Sequence, residues 1–170
     1  IAAGLSHSDA EALAAAVKTD IKTVPALGNS EAYKAELISY LPAHQKEHGY
    51  QEISPELAAK AHDYAAETAY NETDKATYQA MEAFVHNLNT MNSRAGAQVP
   101  FSSVNYGTDT SPEARMVIRN LLSATNAGLG DGETPIFPVQ IFKVKEGVNY
   151  NPGDPNYDLF QQAIATSAKR

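Results

Sequence analysis

Two apolar stretches rich in strand-forming residues, separated by a helical one, leave this chain few ways to fold. Gln98 to Asn105 carries Val, Phe and Ser in the manner of a strand, and Ile136 to Lys145 (IFPVQIFKVK) is apolar on both alternating faces over most of its length, as a strand covered on both sides is. Between them the run Thr110-Ser-Pro-Glu113 opens a helix carrying Met116, Val117, Leu121 and Leu122, and the turn Gly128-Leu-Gly-Asp-Gly132 ends it. Asp154-Pro155 opens a last helix. Consecutive strands joined by a helix pair in parallel through a right-handed crossover. The β-α-β-α order of residues 94–170 therefore predicts an α/β fold.

Upstream the pattern is helical. Ser8-Asp-Ala-Glu11 has the form of a capping box before an Ala-rich stretch to about Lys18, and Ser30-Glu31 starts a second stretch with Tyr33, Leu37, Tyr40 and Leu41 at helical spacing, bent or ended by Pro42. Ser54-Pro55-Glu56 predicts a third helix to about Tyr70, with Leu57, Ala61, Tyr64 and Ala65 on one face. From Thr73, the residues Tyr78, Met81, Phe84, Val85, Leu88 and Met91 recur at three- and four-residue steps, and Gly96 supplies a left-handed stop. Composition changes at the same place. Residues 1–93 hold 13 acids, six lysines and no arginine, whereas 94–170 balance seven acids with four arginines and three lysines, and seven of the ten glycines lie in that second part. The expected organisation is a helical segment, 1–93, and a β-α-β-α segment, 94–170, both parts of one larger catalytic domain.

The net charge of −7 argues against nucleic acid as the main partner, because neutralising phosphates takes a basic face. No apolar run approaches the roughly 20 residues of a bilayer span, so membrane insertion is not expected. The absence of cysteine removes disulfides, thiolate metal sites and any thiol nucleophile from these residues, and agrees with a cytoplasmic location. The start at Ile1 and the end at Arg170 within a helical pattern read as those of an internal fragment.

Among residues able to do chemistry, His44 and His48 have the i, i+4 spacing of a helical metal site, but no third ligand accompanies them and solvated histidines are the favoured reading; no metal site is expected. The Gly128–Gly132 glycines follow a helix and precede a strand, the reverse of a phosphate cradle. Tyr106-Gly-Thr-Asp-Thr-Ser111 has the right order, joining a strand to a helix N-terminus with hydroxyls and free N–H groups; the alternative is an N-cap with a well-formed turn. Along the preceding strand, alternation sends Ser103 and Asn105 to one face with Phe101, and Ser102 and Val104 to the other. Such polar residues need partners, supplied by a ligand or by neighbouring backbone. Arg115 and Arg119, four apart, either approach a phosphate or line a solvated face.

Residues 83–110 (AFVHNLNTMNSRAGAQVPFSSVNYGTDT), 132–142 (GETPIFPVQIF) and 147–159 (GVNYNPGDPNYDL) resemble the anaerobic (class III) ribonucleoside-triphosphate reductases, over roughly residues 70–170. That resemblance implies a piece of a ten-stranded α/β barrel of the glycyl-radical enzyme type. It implies a glycyl radical, installed by a radical-SAM activating enzyme with a 4Fe-4S cluster, that creates a thiyl radical on a cysteine; the thiyl radical abstracts the ribose 3′ hydrogen and the 2′-hydroxyl is lost. It further implies a structural zinc site, deoxynucleotide and ATP effectors, and a homodimer. On this basis Ser102, Ser103 and Asn105 are expected in the substrate pocket, and Gly107, Thr108, Asp109, Thr110 and Ser111 in an effector-coupled specificity loop. No catalytic residue is expected here, since the cysteines, the radical glycine and a recognisable ATP-cone are all missing from these 170 residues. The competing expectation is an inactive helical and α/β module that self-associates and binds no nucleotide.

Overall fold

The computed structural model describes residues 6–48, 53–91 and 98–170. It is an α/β structure, mostly helical, with five α-helices and one two-stranded parallel sheet among the described residues. The elements are α1 (His7–Asp20), α2 (Ser30–His48), α3 (Pro55–Thr90), β1 (Ser103–Tyr106), α4 (Pro112–Ala127), β2 (Val139–Phe142) and α5 (Tyr157–Lys169), with a short 3-10 turn at Leu27–Asn29. The chain divides into two compact units after Asn71, so the second half of α3 belongs with the β-α-β-α segment.

The first unit is built on Leu13, Leu41 and Ala58, flanked by Val17, Leu37, Ile38, Tyr40 and Ile53. The starts of α1 and α3 use side-chain caps. The cap of α1 is Ser6, whose hydroxyl accepts the Asp9 N–H, rather than the expected Ser8; a serine already inside the first turn cannot supply that bond. Ser54 caps α3 as expected, accepting the Leu57 N–H at 3.2 Å. The helix α2 continues through Pro42 to His48. The two helices expected around Tyr70 are one: α3 runs unbroken for 36 residues, because Asn71, Glu72 and Thr73 include neither glycine nor proline to interrupt it. The glycine stop at Gly96 lies outside the described residues.

In the second unit β1 and β2 pair in parallel with Ser103 opposite Val139 and Tyr106 opposite Phe142. Both strands are shorter than the apolar pattern predicts, for a reason visible at the ends of β2. Pro138 has no N–H, and the N–H groups of Ile136 and Phe137 are taken by the Asn89 carboxamide from α3 at 2.8 and 3.0 Å. Beyond Phe142, Asn149 takes the Lys143 carbonyl and the Lys145 N–H. With β2 so limited, β1 begins at Ser103 and extends one residue beyond Asn105. One sheet face packs Tyr106 and Phe142 on Ile118 and Leu122 of α4 and Leu159 of α5. The helix α5 starts at Tyr157 rather than Asp154, because Asp154 closes a turn by accepting the Asn151 N–H and Asn156 is the cap.

Candidate functional site

The parallel pair exposes one face and half-buries the other. On the exposed face Ser103 and Asn105 of β1 stand beside Val139 and Ile141 of β2, which are 42% and 44% exposed, and Phe101 precedes them at 84%. Ser102 is half-buried with its Oγ enclosed, and that hydroxyl has no hydrogen-bond partner among the described residues. The structure thus brings Ser103 and Asn105 together and separates Ser102 from them. Behind the sheet, the Tyr106 hydroxyl donates to Gln140 Oε1 at 2.5 Å, and Gln140 donates to Thr125 at 2.6 Å. Burial pushes the Tyr106 phenol up to about 12.

At the carboxyl ends of the strands, where α/β sheets place their ligand sites, lies the loop Gly107 to Ser111. Gly107 is buried at φ +115°, and a β-carbon there would sit 2.9 Å from the Lys143 carbonyl oxygen and 3.1 Å from the Phe142 ring. Asp109 accepts the Ser111 N–H at 2.9 Å, a bond that holds its carboxyl below the usual carboxylate range, and Ser111 in turn caps α4 by accepting the Ala114 N–H. The carboxylate therefore faces a protein donor, and the loop has the geometry of an N-cap with an ordered turn. Thr108 and Thr110 are exposed.

The two arginines are engaged within the protein. Arg119 pairs with Asp74 of α3 at 2.8 Å, and Arg115 pairs with Asp158 of α5 at 2.7 Å while also donating to the Pro155 carbonyl. Burial raises the Asp158 carboxyl, but Arg115 together with the backbone N–H groups of Leu159 and Asp158 holds it below the usual carboxylate range. His44 stacks on Tyr40 with centroids 3.7 Å apart and pairs with Asp20 at 3.1 Å. Among the described residues there is no group of three or more His, Cys, Asp or Glu able to hold a metal ion, and no helix is long and apolar enough to cross a membrane. Two asparagines missed by sequence reasoning, Asn149 and Asn156, are fully buried against the loop. Their setting among Asn, Pro and Gly made them look like ordinary turn residues.

A family model described as anaerobic ribonucleoside-triphosphate reductase matches residues 15–170. The chain belongs to the anaerobic ribonucleoside-triphosphate reductase family. The match begins well before residue 70, so membership takes in most of the helical segment as well as the β-α-β-α part. Curated relatives named anaerobic ribonucleoside-triphosphate reductase include proteins of Enterobacteria phage T4, 42% identical over 103 residues, and of Escherichia coli and Salmonella typhimurium, each 36% identical over 103 residues. Those 103 residues are 60% of this chain but 17% of the phage protein and 14% of each bacterial one, so the chain spans a small part of the length of the reductases it matches.

Proposed function

We propose that this segment is a piece of the ten-stranded barrel of an enzyme that reduces ribonucleoside triphosphates to 2′-deoxyribonucleoside triphosphates without oxygen, with the exposed sheet face as a wall of the substrate cavity. The observation that carries this reading is the one-sided sheet. A parallel pair normally has both faces covered, yet here one face is backed by α4 and α5 while the other presents Ser103 and Asn105 between Val139 and Ile141. A hydroxyl and a carboxamide can donate to and accept from ribose hydroxyls, and the flanking aliphatic groups lower the local polarity in which those bonds form. Ser102 supports the wall from behind. Gly107 to Ser111, at the strand ends, is the loop through which deoxynucleotide and ATP effectors bias the choice of base.

The glycyl radical, when installed by the radical-SAM activating enzyme, supplies hydrogen abstraction through a cysteine thiyl. This chain has no cysteine, so its residues fit neither the thiyl site nor a four-cysteine zinc site, and no chemical step is assigned to them. Their part is to bind, orient and shield. A homodimer and a cytoplasmic location belong to the same reading.

The exposed Phe101, Ile136, Val139 and Ile141 also favour a second reading, an inactive module that buries this face against another copy and binds no nucleotide. One experiment separates the two. The longer protein containing this segment, activated under anaerobic conditions, is incubated with a labelled ribonucleoside triphosphate. Formation of the corresponding deoxyribonucleoside triphosphate is the expected result; its absence, with no nucleotide retained on the protein, favours the inert module.

A further inference from the structure

Asn149, in the turn after β2, and Asn156, the cap residue of α5, are each 0% exposed. Asn149 donates through Nδ2 to the carbonyls of Gly107 at 2.8 Å and Lys143 at 2.9 Å, while its Oδ1 accepts the Lys145 N–H at 2.8 Å. Asn156 donates through Nδ2 to the carbonyls of Gly107 at 3.1 Å and Asp109 at 2.7 Å, and its Oδ1 accepts from Arg115 Nη1 at 2.7 Å. Each carboxamide uses both of its hydrogens and its oxygen. A carboxylate has no hydrogen to give two carbonyls, and alanine at 156 takes the Asn156 donor from the Asp109 carbonyl and leaves the Gly107 carbonyl to Asn149 alone. Arg115 is fixed in turn by Asp158, with Nη2 to Oδ2 at 2.7 Å and Nη1 to Oδ1 at 3.1 Å.

We propose that Asn156 is the positioning residue of the Gly107 to Ser111 loop, with the Arg115–Asp158 pair as its outer support, so that discrimination among ribonucleotides is set from the N-terminus of α5. The inference rests on the reductase reading, since the loop selects among substrates only in that enzyme. The physical reason is that the carbonyls of Gly107 and Asp109 are clipped while Thr108 and Thr110 between and beyond them remain exposed, so the clip decides how the exposed groups are presented. Without it the Asp109 carbonyl loses that bond while Gly107 keeps the one from Asn149, so the loop beyond Gly107 populates more than one arrangement, and a loop with several arrangements discriminates poorly.

The test is the ratio of kcat/KM for a purine and a pyrimidine ribonucleoside triphosphate, measured with effector present, in the activated longer protein. Asn156→Ala is expected to move that ratio about tenfold toward unity, the effect of losing buried hydrogen bonds that favour one arrangement. Asp158→Asn, at a side chain 62% exposed and so compatible with folding, is expected to move it less but in the same direction. A purely structural role lowers both substrates together and leaves the ratio alone. An active wild type whose ratio is unmoved by Asp158→Asn and by any folded Asn156→Ala protein overturns this inference alone. A wild type that forms no deoxynucleotide overturns the reductase reading and this inference with it.

Discussion

Gly107 shows how a single position ties the site to the sheet. With φ at +115° and a β-carbon's place only 2.9 Å from the Lys143 carbonyl oxygen, Gly107→Ala must strain the backbone or push β2 away, and a loss of about 1–3 kcal/mol in chemical denaturation is expected. Tyr106, one residue earlier, gives the alkaline side of the stability profile. Its phenol is raised in the fold from 10.0 to about 12, so the folded state prefers the neutral form. That stabilisation is complete below about pH 10 and is lost as pH rises toward 12; Tyr106→Phe should flatten the melting temperature across that window, whereas an unchanged slope contradicts the assignment. The sequence made Gly107, Ser111 and the alternation of Ser103 with Asn105 legible, because each follows from local backbone rules. It concealed Asn149 and Asn156, whose partners lie 42 and 49 residues away at Gly107; only folding brings those amides to that carbonyl.

Elements were legible wherever their limits are local. Ser111 with Pro112 and Gly128 marked both ends of α4, and the structure uses the serine as N-cap and the glycine as a positive-φ C-cap. Limits set by distant side chains were not. The strand β2 is trimmed at one end by Asn89 and at the other by Asn149, and neither contact follows from apolar alternation. Asn89 also donates to the Phe137 carbonyl at 2.6 Å, so one carboxamide anchors the entry to the strand from α3. Asn89→Ala should therefore remove amide exchange protection at Ile136 and Phe137 and weaken it across β2, while α5, to which Asn89 makes no hydrogen bond among the described residues, keeps its protection; retention at Ile136 and Phe137 would show that Asn89 is dispensable there. The continuity of α3 was missed for the opposite reason. Helix-breaking residues are absent near Asn71, and an exposed helix tolerates the polar residues found there.

For the whole molecule, the −7 charge lies entirely in residues 1–93, while the open sheet face lies in the charge-balanced remainder. An apolar face with little opposing charge, beside strands whose outer edges lack partners among the described residues, favours association. The 170-residue chain by itself should accordingly be larger than a monomer by light scattering, and Ile141→Lys, placed in the exposed face, should shift it toward the monomer; an unmodified chain that stays monomeric removes this expectation. On the reductase reading, that face meets the ribonucleotide in the longer protein. The most direct measurement is the KM for a ribonucleoside triphosphate in the activated enzyme carrying Ser103→Ala and Asn105→Ala together. A cavity wall that hydrogen-bonds the substrate predicts a rise in KM or a fall in kcat/KM of tenfold or more, about the worth of one or two lost polar contacts, in a protein that remains folded. Wild-type kcat and KM in the folded double variant would contradict it.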